Sequence, residues 1–504
     1  MNKPAPITRD TLRTTALYTV LFTLLAHGYR FLNMSFSGDA AQISQAGEIA
    51  YQTSIGRFLQ PLYWHIRGFI TAPLTIGLFA TLGLFGAALM VVSLLRLSSR
   101  RSIALVCGIL ATNETLGVSY ATYLPWCDVY MIAFFFAIAG VYLQERFRHG
   151  WLLSPLPYFI SLGLYQSYLQ TAVVLIIMLL LIRLLDGERP GKIWLCGIKS
   201  CIALLAALIL YYVAVQYAPR LIGIEALDDY NSARNAIYFE AGEILDLLMQ
   251  TCLYPFQFFT RAADSAFVPP ILTLLLLLLG LPALLIPCFS LSIPAKLTVL
   301  LLLAALPFGS NFAAFLSKGF IHPLMVYAFY FLYVLIIVLW DRPALRLPAR
   351  VRTLFRHACA LLCAIMVLSN IFTANQLYLR RDLEFYATTS AATRILKHMD
   401  DVEGYVPGET PVCMLGYLPS SSISLVRPGF EQLSNLQGMR YTYAASYETS
   451  TPWYYQMILG YPVNFVSDQQ RKEFENSAIG DDMPAFPAEG CYKMIDGILF
   501  IKIS

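Results

Sequence analysis

FITAPLTIGLFATLGLFGAALMVVSLL, from Phe69 to Leu95, runs 27 residues without a charged side chain. At about 1.5 Å of rise per residue, a helix of ~20 apolar residues crosses the hydrocarbon layer of a bilayer. Lipid offers no partner for backbone amides, so a run of this kind predicts a membrane-spanning helix. The same reading extends along the chain to Thr15–Asn33, Ile103–Ser119, Val129–Leu143, Trp151–Leu164, Ser167–Leu185 and Ile193–Tyr217. Four further runs are Pro270–Cys288, Leu297–Phe308, Pro323–Trp340 and Ala358–Ala374, for about eleven spans in all. The first run lacks a small-residue cleavage site and is expected to stay as a helix.

Composition agrees with that architecture. Hydrophobic residues make up 58% of the 504 positions and charged residues 13%, where soluble domains carry about 25% charged. A set of soluble domains has no interior large enough for so much apolar surface. The charge is also unevenly placed. From Gln376 to Ser504 there are 15 acids and 10 bases, leaving 16 acids and 25 bases for the rest. Residues 376–504 lack a long apolar run, which predicts a small soluble α/β domain behind a membrane body of residues 1–375. Val412–Leu415 and Ile498–Ile501 are its expected strands. The net charge of +4 follows from where the bases lie and does not point to nucleic acid.

Those bases set the expected orientation. Alternate connections hold Arg96, Arg100 and Arg101; Arg146 and Arg148; Arg183, Arg189 and Lys192; Lys296; and Arg342 to Arg356. All fall on the side of the N-terminus, predicting that this side is cytoplasmic. The opposite connections, residues 34–68 and 218–269 foremost, carry Asp39, Glu48, Asp128, Glu240 and Asp264. An odd number of spans then puts residues 376–504 outside. Ile244, Leu247, Leu248 and Cys252 share one face of an expected interfacial helix.

Motifs exclude several classes of chemistry. The chain has no phosphate-binding G-x-x-x-x-G-K-[ST] or G-x-G-x-x-G, and neither H-E-x-x-H nor G-x-S-x-G. Its ten cysteines form no C-x-x-C pattern, which speaks against a zinc site. Cys413 and Cys491 fall in the region expected outside, and spacing alone leaves their pairing open. Acids and bases gather instead in the first external connection: Asp39, Glu48, Arg57, His65 and Arg67, just after His27 and Arg30. There a cation can bind a lipid phosphate while a carboxylate takes the proton of an attacking hydroxyl. Each has a plainer reading. Asp39 could cap a helix beginning at Ala40, Glu48 could be a solvent face, and Arg57 a snorkelling side chain. Asp128 could cap its span, and Lys318 and His322 could be interface anchors. Glu114 lies inside a span, where an ionisable group is a functional candidate by default.

Three motifs carry a family resemblance: Ser37-Gly38-Asp39, Gly56-Arg57-Phe58-Leu59-Gln60-Pro61, and Tyr123 through Asp128-Val129-Tyr130. With Ser161-Leu162-Gly163-Leu164-Tyr165-Gln166-Ser167-Tyr168 and the stretch from Asn375 to Gly416, the chain resembles the type II glucosyltransferases that modify bacterial O-antigens. These are GT-C polytopic transferases, and Phe58 stands where they more often carry Trp. The resemblance implies hexosyl transfer, outside the bacterial cytoplasmic (inner) membrane, from a polyprenyl-phosphate-linked sugar to a polysaccharide or glycolipid. It implies Asp39 as catalytic base with Glu48 in reserve, and Arg57 as donor-phosphate ligand. Arg30, Arg67 and Lys318 are the other candidate cations. Asp128, Glu114, Tyr165, Gln166 and His322 are expected along the cleft. No metal or cofactor is expected, and the donor must come from a separate synthase and flippase. Trp453, Tyr454 and Tyr455 are expected to be exposed for acceptor sugars. The competing readings are a lipid-linked sugar flippase, a GT-C transferase acting on lipid A or protein, and a sugar-binding scaffold.

Overall fold

The computed structural model describes residues 4–37, 46–69, 71–224, 242–260, 267–342, 347–418, 433 and 450–503. Helices dominate. The first group is α1 (Arg9–Leu32), α2 (Ala46–Ser54), α3 (Leu59–Arg67), α4 (Pro73–Leu94), α5 (Arg100–Thr112), α6 (Glu114–Thr122), α7 (Cys127–Arg146), α8 (Gly150–Leu153) and α9 (Pro155–Leu164). The second is α10 (Leu169–Leu185), α11 (Pro190–Ile222), α12 (Ile244–Thr260), α13 (Pro270–Phe289), α14 (Ile293–Leu316), α15 (Phe331–Asp341) and α16 (Ala349–Asp400). Among the described residues, eight helices are long and apolar enough to cross a membrane, with Gly150–Leu164 and Tyr327–Asp341 as shorter apolar helices. The chain is a polytopic membrane protein. Each apolar run of the sequence is at least partly helical, although Pro323–Trp340 differs from expectation. Its first part forms two short 3-10 turns, Pro323–Met325 and Tyr327–Tyr330, before α15 begins.

Small residues decide how closely the helices approach. A Cβ added at Gly83 on α4 would lie 2.9 Å from the Met131 backbone of α7, and one at Gly86 would lie 2.7 Å from the Phe135 ring. Gly77 receives the Phe31 ring of α1 in the same way. Lipid tails are as apolar as the side chains, so this close packing takes the place of a hydrophobic drive between helices. Asn113 breaks the α5–α6 segment and satisfies both sides of the break. Its amide nitrogen donates to the carbonyls of Ile109 and Leu110 at 3.1 and 3.0 Å, and its oxygen accepts from the Leu116 amide at 3.2 Å. The orphan groups at a helix end are answered locally. α11 is the longest helix before α16, at 33 residues. At the arginine-rich end, ion pairs Arg183–Glu145 and Arg342–Asp186 join the ends of α7, α10 and α15, and Arg356–Asp341, at 2.5 Å, ties α16 to α15.

The chain divides into two compact units, the second being Gln376–Ser504 with Asn33–Gln45 and Ala121–Leu124. The second unit holds a four-stranded sheet of β1 (Pro411–Leu415), β2 (Asn464–Phe465), β3 (Tyr492–Ile495) and β4 (Ile498–Lys502), in the order β2-β1-β4-β3. β1 lies parallel to β2 and β4, and β3 is antiparallel to β4. Asp496 and Gly497 both have positive φ, 49° and 75°, the primed turn that an Asp-Gly pair favours between antiparallel strands. Val412, Met414, Leu499 and Ile501 pack in one core, and Cys413, Leu415 and Phe500 in another. This alternation answers the question of Cys413 and Cys491. Cys491 belongs to the first core and Cys413 to the second, and both thiols are free. Tyr454 and Tyr455, expected to be exposed, have no exposed surface and sit in the first core. Burying two large aromatics stabilises a small sheet more than exposing them would.

Replacing Gly83 with Leu should force α4 off α7 and cost ~1–3 kcal/mol, the usual penalty of overpacking. Gly191→Leu, where an added Cβ meets nothing within 4 Å, should leave the thermal midpoint in detergent unchanged. Equal midpoints for the two variants would refute the close-packing account.

Candidate functional site

Within the first unit, a string of buried polar groups begins on α2. Glu48 and Gln52 are four residues apart, so both lie on one helix face, and both are buried. Gln52 donates through Nε2 to Glu48 Oε1 at 2.5 Å and accepts through Oε1 from Arg57 Nη1 at 3.2 Å. The turn between α2 and α3 explains the Gly-Arg pair. Gly56 has φ 85°, with its amide on the Thr53 carbonyl at 3.1 Å and the Arg57 amide on the Gln52 carbonyl at 2.8 Å. That is the Schellman arrangement, which places glycine in the left-handed position and lets the next residue leave the helix axis. Arg57 leaves it to lie over the Tyr165 ring, 4.5 Å from the centroid. Its Nε is buried and has no hydrogen-bond partner among the described residues.

Tyr165 is presented by an interruption in the chain. α9 stops at Leu164, Tyr165 is extended at φ −162° and ψ 111°, and a 3-10 turn follows at Gln166–Tyr168. Gln60 of α3 donates to the Leu164 carbonyl at 2.6 Å, satisfying an orphan acceptor of α9. The Gln166 amide donates to the Ile55 carbonyl at 2.7 Å and bonds the Tyr211 hydroxyl of α11 at 2.8 Å. Phe58 packs among Val215, Ala218 and Tyr211, so an aromatic ring still fills the position where Trp is more usual. His322 accepts the Leu324 amide at 3.2 Å. Burial and the Arg57 charge push its pKa down to about 4, which keeps it neutral beside the guanidinium at physiological pH.

A second cluster lies at the other end of α3. Tyr63 and Arg67, one turn apart, both reach Asp128 in the first turn of α7. Tyr63 donates its hydroxyl at 2.8 Å, and Arg67 Nη1 lies 2.7 and 2.8 Å from the two carboxylate oxygens. Arg67 Nη1 also reaches the Pro125 carbonyl at 2.9 Å. The side chains of Arg67 and Asp128 are 3% and 0% exposed. Burial and the neighbouring Asp128 charge raise the Tyr63 pKa and keep its hydroxyl a donor. The ring of Tyr130, two residues past Asp128, lies 4.5 Å from that of Tyr165, so the two clusters share an aromatic wall. Asp128 is thus more than a helix cap, and Arg67 is tied to it rather than being a loose interfacial cation.

The other candidates stand apart from this arrangement. Arg30 is buried on α1 and donates through Nε to the Tyr120 carbonyl at 2.8 Å, while His27 contacts the Ala111 carbonyl at 2.7 Å. Glu114 opens α6 and lines a separate small cavity with Phe258, Phe259, Tyr330 and Tyr333. Lys318 is exposed in the turn after α14, and His65 is exposed against Phe69. Asp39 lies outside the described residues. Sequence reasoning missed Gln52, Gln60, Tyr63 and Tyr211. The four-residue spacings Glu48–Gln52 and Tyr63–Arg67 were the legible signal for two of them. Within the second unit, Arg380 and Arg381 pair with Glu384 at 2.7 and 2.8 Å. Arg381 also donates to the Thr122 hydroxyl at 2.7 Å, and Ser37 to the Thr122 carbonyl at 2.6 Å. Among the described residues, no three His, Cys, Asp or Glu side chains gather as metal ligands would.

The family model described as Glucosyl transferase GtrII matches residues 28–340. That stretch holds Glu48, Arg57, Asp128, Tyr165 and His322. No curated protein and no solved structure matches the chain.

Removing one partner of a buried ion pair strands the other charge, typically at ~3–5 kcal/mol. Arg67→Met and Asp128→Asn should therefore each lower the thermal midpoint strongly, and the double variant should lose less than the sum of the two. Tyr63→Phe should cost only about 1 kcal/mol. Additive losses in the double variant would show that the pair is not coupled.

Proposed function

The chain belongs to the GtrII glucosyl transferase family, and from that membership we propose the reaction it carries out. It moves a glucosyl residue from a polyprenyl-phosphate-linked donor to a cell-surface polysaccharide such as O-antigen. One observation carries the donor assignment: Arg57 rests on Tyr165 with a buried Nε that no group among the described residues answers. A guanidinium edge suits a phosphate oxygen, and neutral His322 adds no competing charge.

In this reading, an acceptor hydroxyl attacks the anomeric carbon and the bond from that carbon to the phosphate oxygen breaks. The polyprenyl phosphate leaves with the electron pair, stabilised by Arg57. A carboxylate of the first external connection takes the hydroxyl proton. Asp39 is that base, with Glu48 the alternative, while Asp128 and Gln166 shape the cleft. A lone phosphate held by arginine needs no metal, and the transfer needs no further cofactor. The donor arrives from a separate synthase and flippase.

The reaction takes place on the external face of the bacterial cytoplasmic membrane. The protein spans it about eleven times, with the N-terminus cytoplasmic and residues 376–504 outside. Arginine at one end of α4, α5, α7, α10, α11 and α16 supports that orientation. A reporter active only outside the cytoplasm, fused after Ser504, should be active, and a silent reporter would reverse the orientation.

The chemistry is tested by transfer from a synthetic polyprenyl-phosphate glucose. Asp39→Asn should lose roughly a hundredfold or more, and Glu48→Gln much less. Arg57→Lys should weaken donor use and Arg57→Ala nearly abolish it. An active Asp39→Asn protein with a dead Glu48→Gln protein would move the base to Glu48. Unchanged donor dependence in Arg57→Ala would remove Arg57 from the phosphate.

A further inference from the structure

At the arginine-rich end, α5, α15 and α16 surround a second, small and partly open cavity. Its lining is ordered by depth. On α5, Arg101 and Ser102 line it at the helix start and Leu105 one turn further in. On α16, Arg356 lines it near the start and Ala360 one turn deeper, while on α15 the direction reverses, with Asp341 at the helix end and Ile337 one turn back. On each of the three helices a polar lining residue therefore lies about one turn, or 5.4 Å, outward of an apolar one. Trp340 forms part of the wall and is locked there, stacked on Phe355 at 4.8 Å with its indole nitrogen donating to the Leu279 carbonyl at 2.9 Å.

The charges of the rim do not cancel. Asp341 engages Arg356 Nη2 at 2.5 Å, which answers one of the two guanidinium groups. Arg101 is exposed and makes no ion pair among the described residues. One positive charge is left over an apolar floor at the end of three membrane helices. A free phosphate would gain nothing from Leu105, Ile337 and Ala360. A phosphodiester with acyl chains below it fits both levels: oxygens on the two arginine forks, first methylenes on the floor. We propose that this cavity is a binding site for an anionic glycerophospholipid of the adjoining leaflet, with phosphatidylglycerol chemistry. Basic pockets between membrane helices bind anionic headgroups in this manner. The site is independent of the glycosyl-transfer reading and joins α5, α15 and α16 through one lipid.

The test uses the delipidated full-length protein in detergent, with bound lipid counted by native mass spectrometry. Phosphatidylglycerol should bind about fivefold more tightly than phosphatidylcholine, as one uncompensated arginine at a membrane surface implies. Arg101→Gln and Arg356→Gln should each reduce that preference about fivefold. Arg101→Gln removes an exposed side chain without an ion pair, so its effect is separable from misfolding. Leu105→Trp should block lipid retention without changing charge, and Lys192→Gln, outside the cavity, should leave the preference intact. Equal binding of the two lipids would overturn the proposal, as would full retention of phosphatidylglycerol by the Arg101→Gln/Arg356→Gln protein. Displacement of the lipid by soluble glycerol phosphate would make the cavity a free-phosphate site instead.

Discussion

A carboxylate with no exposed surface must be answered inside the protein, and Asp128 is that carboxylate. Moving it out of water costs several kcal/mol after relaxation, which a guanidinium and a hydroxyl at hydrogen-bond distance offset. Both answers come from one short helix. Tyr63 and Arg67 can reach Asp128 together only if α3 lies against the start of α7 with one face turned inward. Once α3 is held there, Gln60 meets the end of α9, and the left-handed Gly56 turn delivers Arg57 to Tyr165. The geometry around Arg57 is thus set in part by a pairing whose members are 61 residues apart in the chain.

The two clusters at the ends of α3 have opposite electrostatic character. Arg67 is matched by a buried acid and contributes mainly to position. Among the described residues, Arg57 is answered by an amide oxygen and an aromatic face, neither of which carries a full negative charge. A cation held by neutral groups keeps its attraction for an incoming anion. His322 preserves that state, since a protonated ring would repel both the arginine and the conformation that holds it.

Much of this was legible before any coordinates, for physical reasons. A run such as Phe69–Leu95 has only one way to satisfy its backbone in lipid, so helical segments follow from composition. The alternating runs around Val412 and Leu499 have the period of strands. Gly56-Arg57 and Tyr165-Gln166 stood out through the family resemblance of the motifs that hold them. Pairing was not legible. Asp128 read equally well as a cap and Arg67 as a candidate phosphate ligand, because nothing local records that they meet. Gln60 and Tyr211 carry no charge, and Gln52 showed only in its four-residue spacing from Glu48. Tyr454 and Tyr455 show the converse limit: adjacent tyrosines look alike in a core and on a sugar platform, and only the sheet beneath them decides.

The length of α11 has a consequence of its own. Its 33 residues extend about 50 Å as a helix, well beyond the ~30 Å hydrocarbon thickness of a bilayer. Tyr211, which bonds the Gln166 amide, stands roughly 32 Å along it from Pro190. The helix works as a ruler laid across the membrane, with Tyr211 near the far edge. An overlong helix adjusts to a thinner bilayer by tilting further, and the Tyr211–Gln166–Ile55 tie moves with it. Acyl-chain length should therefore bear on that tie, through a variable that no side chain of the cluster supplies.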